Sequence, residues 1–289
     1  MALANNSYTY IAADNQVVNF SDQVNYFTGS WPDGILATEV VLRDYQTPLK
    51  DGSTFSSMKF APKLIDLPVL ISYNNFPEFL AGMRWLVSAL NPKKGLGRLQ
   101  VRAEDGKERF IHCIYSGGLE GKPLRLAHPG GGVYMITFKA FYPFWQDLAP
   151  VTAEYTKDAP PLFFPFFPFR LSQNGIFKDL TITNDGDVPA YPVWRIYGYG
   201  EDALIRNLTS GKLLQVTTGI TAGTYIEIDT RPGFKTVKLS DGTNVFSALT
   251  KTSSLFPLER GANSIRLELN NADANSKLYY SFNTPRLTI

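Results

Sequence analysis

Asn184-Asp185-Gly186-Asp187-Val188-Pro189-Ala190-Tyr191-Pro192-Val193-Trp194-Arg195-Ile196-Tyr197-Gly198 strings together a turn, two prolines and an alternating strand. Asn, Asp and Gly tolerate the tight backbone of a turn, while Pro189 and Pro192 fix φ and remove ladder donors around Tyr191. Val193 to Tyr197 alternates apolar and polar positions, so the prolines suit a strand start or a sheet edge better than a central strand. No nucleophile–base pair and no metal-ligand spacing occurs here. The stretch is architectural, and it predicts β structure around itself.

Downstream, short strand patterns recur at Leu204 to Asn207, Lys212 to Val216, Tyr225 to Asp229, Thr236 to Leu239, Ser264 to Leu269 and Leu278 to Phe282. Turn residues separate them at Ser210-Gly211, Ala222-Gly223, Pro232-Gly233, Asp241-Gly242 and Arg260-Gly261. Regular short strands with such punctuation predict a sandwich or jelly roll.

Upstream, strand patterns alternate with one helix. Tyr8 to Ile11, Gln16 to Phe20, Ile35 to Leu42 and Thr54 to Phe60 read as strands. Phe76, Phe79, Leu80, Met83, Leu86, Val87 and Leu90 recur at spacings of three and four, which predicts a helix from Phe76 to Leu90 with these residues on its inner face. Asn74 and Asn75 are capping candidates, Pro77 suits the first turn, and Asn91-Pro92 stops the helix. Trp85 falls off the stripe, at a domain edge or a subunit contact. Leu99 to Arg102 and Arg109 to Tyr115 flank Asp105-Gly106, a strong hairpin signal. His128 to Gly132 reads as a loop before the strand Val133 to Ala140. A phosphate cradle would need a helix after these glycines, and a strand follows instead.

Between about 148 and 180 the composition changes. Ala159 to Phe169 carries four prolines and five phenylalanines. Prolines at this density favour extended backbone. Apolar area costs about 25 cal/mol per Å² in water, so Phe163, Phe164, Phe166 and Phe167 call for cover by the chain's own domains or by a neighbouring subunit.

The chain has 289 residues, a net charge of +2 and 19% charged residues. That balance excludes an electrostatic nucleic-acid binder. Lys93, Lys94 and Arg98 form one modest basic cluster. The single cysteine, Cys113, reads as a buried thiol, and its strand neighbour His112 faces the opposite side. No apolar run is long enough for a helical membrane span, and the N-terminal residues lack signal-peptide regions. Asp185 and Asp187 are explained by turn hydrogen bonding, and Glu104-Asp105 and Glu201-Asp202 sit where solvated loops are expected. The residues assign no catalytic, cofactor or metal site.

The turn and Tyr191-Pro192 strand resemble the signature that opens the C-terminal domain of distal tail proteins from long-tailed, non-contractile phages. Four further elements follow in that family's order: Asn207 to Leu214, Ile226 to Thr230, Val237 to Asn244, and Leu258 to Ile265. In the first half, Tyr134 to Ala140 followed by Phe141-Tyr142-Pro143-Phe144-Trp145 resembles the close of the family's N-terminal domain.

The resemblance implies a mainly β chain. Residues 1–148 would be an α+β ring-forming domain with one main helix, 149–179 a Pro/Phe-rich connector, and 180–289 a galectin-like β-sandwich. It implies a structural, non-enzymatic virion protein, made in the bacterial cytoplasm and placed at the tail tip. There a homohexameric ring would join the tail tube protein to the tail-tip hub. The ring would carry receptor-binding proteins, meet the tape measure and let DNA pass through its lumen, without membrane or cofactor.

Candidate interface residues are Trp85, Lys93, Lys94, Arg98, Phe163, Phe164, Phe166 and Phe167. Candidate fold-signature residues are Asn184, Gly186, Asp187, Tyr191 and Pro192. The alternative is a carbohydrate-binding, lectin-like host-recognition module. Trp194 and Arg195 are its sugar platform, although the strand alternation predicts that Trp194 is buried.

Overall fold

The computed structural model describes residues 6–28, 32–49, 51–121, 123–128, 130–156, 175–272 and 275–289. About 52% of the chain is strand and 8% helix. That is far above the roughly 20–25% strand of ordinary domains, so the mainly β reading holds. The chain divides into two compact units, residues 1–148 with 286–289 and residues 149–285.

Unit 1 contains β1 (Ser7–Ile11), β2 (Val17–Asn19), β3 (Tyr26–Thr28), β4 (Val40–Tyr45), β5 (Thr54–Phe60), β6 (Lys63–Ser72) and the helix α1 (Phe76–Ala89). It continues through β7 (Gly97–Arg102), β8 (Glu108–Gly117), β9 (Arg125–His128), β10 (Gly131–Ala140) and the start of β11 (Trp145–Thr156). All described pairings are antiparallel. β2, β1, β7 and the first half of β8 form one layer; the second half of β8, β10, β6 and β3 form the other. The long strand β8 serves both. Between them lies a core that includes Tyr8, Tyr10, Phe20, Leu67, Val69, Ile136, Phe138 and Trp145. Each such side chain contributes about 1.5–3 kcal/mol by leaving water.

The predicted caps of α1 are in place. The Asn75 side chain accepts from the Glu78 amide, Pro77 lies in the first turn, and Leu90 closes the helix. The predicted stripe divides, however. Leu86 and Leu90 are buried and Phe79 and Met83 pack against the core. Phe76, Leu80 and Val87 are exposed. At 100° per residue these three lie on the adjoining flank, beyond the reach of the sheet.

Three other expectations shift. The strand expected at Ile35 to Leu42 begins at Val40 instead. Gly34 adopts a left-handed φ of 78°, and a Cβ there would lie 1.8 Å from the Leu64 carbonyl oxygen, so the chain turns before Ile35. Gly131 and Gly132, expected in a loop, open β10, where Gly132 pairs with both Ile71 and Leu126. β6, absent from the sequence reading, is central. Pro68 hides it, because proline argues against an interior strand. Its missing donor falls on the edge that Asp66 and Ser72 use to bond Asp33 and Asn25, between the Asp33 bridge and the end of β3.

Unit 2 contains β12 (Gly175–Asn184), β13 (Val193–Tyr197), β14 (Glu201–Asn207), β15 (Leu213–Val216), β16 (Tyr225–Asp229), β17 (Thr236–Leu239), β18 (Gly261–Asn270) and β19 (Lys277–Arg286). One sheet runs β17-β16-β13-β19 and continues into β11; the other runs β12-β18-β14-β15. Trp194, Ile196, Ile226, Ile228 and Leu278 from the first meet Ile182, Ile205, Leu214, Ile265 and Leu267 from the second. This is a β-sandwich, with nearly every strand where the alternation predicts it.

Candidate assembly surfaces

The signature turn is held from inside. Asn184 is fully buried. Its Oδ1 accepts from the Gly186 amide at 2.9 Å, and its Nδ2 donates to the carbonyls of Val188 at 3.0 Å and Leu258 at 3.2 Å. A Cβ on Gly186 would sit 2.6 Å from the Pro285 carbonyl oxygen, which also accepts from the Asp187 amide. Pro192 precedes β13, and its carbonyl accepts from both the amide and hydroxyl of Thr230. Tyr191 is partly buried; burial, and then the charge of Glu259, raise its pKa. Asp187 lies in the turn itself.

Two more asparagines repeat this device. Asn207 Oδ1 caps the turn through the amides of Thr209 and Ser210, and its Nδ2 donates to Asn263 Oδ1 at 3.3 Å. Asn263 Oδ1 also accepts from Glu259 N, while its Nδ2 reaches the carbonyls of Glu259 and Gly261. Asn207 and Asn263 belong to the elements that carry the family resemblance. Buried polar groups must be paired, and here they tie turns together. Asn184, Asn207 and Asn263 each spend their side chains on such ties.

The sequence-derived interface residues are scattered over unit 1. Trp85 is half-exposed beside Val24, Tyr73 and Gly82. A Cβ on Gly82 would strike the Tyr73 ring at 2.3 Å, so the glycine admits that ring against the helix. Lys94 does not point freely outward: its Nζ lies 2.8 Å from Asp14 and 2.7 Å from Gln16 Oε1. The Lys94 ammonium lowers the pKa of Asp14. Arg98 lies over the Phe110 ring at 5.9 Å. Lys93 is exposed in a short 3-10 turn capped by Asn91. Phe163, Phe164, Phe166 and Phe167, with the whole stretch 160–170, lie outside the described residues.

Sequence reading missed an exposed apolar face. β4 and β5 form a separate two-stranded sheet. Opposed residues share a face, and the register sets Val40 against Phe60, Leu42 against Met58 and, after a bulge, Asp44 against Phe55. Leu42, Phe55 and Met58 are each 63–65% exposed. The other face carries Val41, Arg43, Ser57 and Lys59, with Tyr45 exposed at its end opposite Thr54. Neither run alternates cleanly in the sequence: Val40-Val41-Leu42 is contiguous, and the bulge spaces Phe55, Met58 and Phe60 by three and two.

Cys113 is buried, and burial pushes its thiol up to about 12, which makes it inert. Among the described residues no group of His, Cys, Asp and Glu could hold a metal ion. No helix among them is long and apolar enough to cross a membrane. Trp194 is fully buried and unavailable as a sugar platform.

Residues 185–283 match the family described as the siphovirus-type tail component, C-terminal domain. No curated protein matches the chain. Among solved structures, the SPP1 Dit protein, presented as a paradigm of the hub adsorption apparatus in phages infecting Gram-positive hosts, superposes with a TM-score of 0.66 at 12% identity, over 95% of this chain and 98% of that one. A chain of the phage P2 baseplate in its activated conformation with Ca gives 0.62 at 12%, over 98% and 99%. The same baseplate with Sr gives 0.60 at 13%, over 98% and 99%. Identities this low establish a shared fold.

Proposed function

We propose, from the premise of a chain with the fold and C-terminal domain of a siphophage distal tail protein, that six copies form a ring at the tail tip. The observation that carries this reading is the length of the likeness: nearly all of this chain superposes on nearly all of SPP1 Dit, not one domain alone. In this reading the ring is built by unit 1. It joins the tail tube to the tip hub, meets the tape measure, and offers unit 2 as a platform for receptor-binding proteins. DNA passes through the lumen without specific contacts. The protein holds partners in geometry and performs no bond chemistry. Trp85, Lys93, Lys94, Arg98 and the phenylalanines at 163, 164, 166 and 167 are proposed contacts between copies or domains. The chain is made in the bacterial host cytoplasm and resides in the virion.

A closed ring of identical subunits needs a heterologous contact, one surface of each copy against a different surface of the next. Light scattering coupled to size exclusion tests it. A mass near six times the 32.2 kDa chain is expected. A monomer at every concentration, in the presence of the tail tube protein as well, would overturn the reading.

A further inference from the structure

Among the described residues two apolar surfaces of unit 1 stay largely open to solvent, although Phe60 at the end of one packs edge-on against Phe144 and Phe76 on the other stacks on Phe79. The first is the β4–β5 face of Val40, Leu42, Phe55 and Met58. An isolated two-stranded sheet is marginal in water, and this one exposes four large apolar side chains on this face against one, Tyr45, on the other. The second is the flank of α1 formed by Phe76, Leu80 and Val87, which are 54%, 36% and 52% exposed. A stripe at such spacing on a helix is the kind that lies against an apolar surface.

Charge pairs the two surfaces. Asp44 stands on the apolar face of the hairpin, directly opposite Phe55. Arg84 lies on the stripe's side of α1, four residues after Leu80 and three before Val87, so it neighbours both. Among the described residues neither Asp44 nor Arg84 has an ion-pair partner. Each apolar patch carries one unmatched charge, and the charges are opposite.

We infer that the β4–β5 hairpin of one copy docks its apolar face on the Phe76–Leu80–Val87 flank of α1 in the next copy, with Asp44 meeting Arg84. This rests on the ring reading above and specifies its contact. The two surfaces differ in shape and sequence, which is what a heterologous contact requires. In a ring each copy uses both, the hairpin forward and the helix backward.

The test labels Leu42→Cys with a benzophenone maleimide; Cys113 is buried and stays unlabelled. After illumination, peptides are mapped and the ring mass is measured in parallel. Cross-links from residue 42 to α1 of a second copy are the expected result. A ring without them, or with cross-links to residues 160–170 or any other surface, overturns the docking and leaves the ring standing. A monomer without cross-links overturns both. Cross-links to α1 at a mass other than six copies support the docking and overturn the count. As a second arm, Asp44→Arg and Arg84→Asp should each raise the concentration for half-assembly about tenfold, and together restore it. Single effects without restoration would exclude the pairing.

Discussion

Unit 2 keeps its apolar residues to itself and unit 1 does not. Among the described residues, unit 2 exposes four large hydrophobic side chains, Val151, Tyr199, Leu208 and Phe246, whereas unit 1 exposes sixteen. Among the described residues, three of the seven buried polar residues of unit 2 are asparagines that tie its turns. The family match lies wholly within unit 2. The contrast teaches where a recognisable sequence comes from. Buried asparagines bonded to specific carbonyls admit few substitutes, so they leave a pattern. An apolar flank that meets a partner needs only shape and hydrophobicity, and many residues satisfy that.

The strongest way to break this comparison is to remove one of the internal ties. Asn263→Ala leaves the carbonyls of Glu259 and Gly261, the Glu259 amide and the Asn207 amide group short of a partner. Each unsatisfied buried group costs about 1–3 kcal/mol; some regain water, so a loss of about 3 kcal/mol is expected. Hydrogen exchange along β12, β14 and β18 reads it locally. Unchanged protection there would mean that the asparagine network is ornamental.

Unit 1 contains a tie of the opposite kind. Lys63 is buried, and among the described residues no hydrogen-bond partner reaches its Nζ, which lies 5.8 Å from the centre of the Trp145 ring. Burial pushes its pKa down to about 8 from 10.5. Below pH 8 both folded and unfolded chains carry the charge, and the fold bears the desolvation penalty; as pH rises from 8 to 10.5 the penalty fades. Lys63→Met should therefore stabilise unit 1 by about 2 kcal/mol at pH 7. The gain should shrink toward pH 10 in parallel urea titrations. A loss of stability at pH 7 would show that the ammonium is held by something the geometry does not reveal.

A smaller effect is expected at Asp147, whose carboxylate bridges Arg109 at 2.9 Å and Arg286 at 3.2 Å, while Arg109 also donates to the Thr288 carbonyl. These contacts fasten residues 286–289 within unit 1. Asp147→Ala should cost about 1–2 kcal/mol, because the Arg109 side chain is only 11% exposed and loses its counter-charge. Faster exchange confined to 286–289 and β8 would locate the effect.

What the sequence made legible follows the same division. β13, β16 and β17 lie where alternation placed them, since each is bounded by turn residues and buries alternate positions. The caps of α1 and the Asp105-Gly106 hairpin were equally readable, because local chemistry decides them. β6 was not, because Pro68 argues locally against a strand that the register with β10 nevertheless carries from Lys63 to Ser72. The division of the α1 stripe was not legible either. Phe76, Leu80 and Val87 share the spacing of Phe79, Met83 and Leu86, and only the position of the sheet separates inner from outer. The pairing of Lys94 was equally hidden: the sequence offers it as a surface charge, and the fold sets it beside Asp14, eighty residues away in the chain.

The smallest effect on stability sharpens the comparison most. Leu42→Ser with Met58→Ser removes two side chains that face solvent in the single chain, so unfolding should move by no more than about 0.5 kcal/mol. An equivalent pair of changes at the core positions Leu67 and Ile136 would cost several kcal/mol. Assembly should respond in the opposite order, since Leu42 and Met58 are exposed in the single chain. Mass and unfolding midpoint measured on the same samples separate the two roles: a lower assembled mass with an unchanged midpoint assigns these residues to a contact between molecules. A destabilised monomer would instead mean that the hairpin face is covered within its own chain, and unit 1 would then be as self-contained as unit 2.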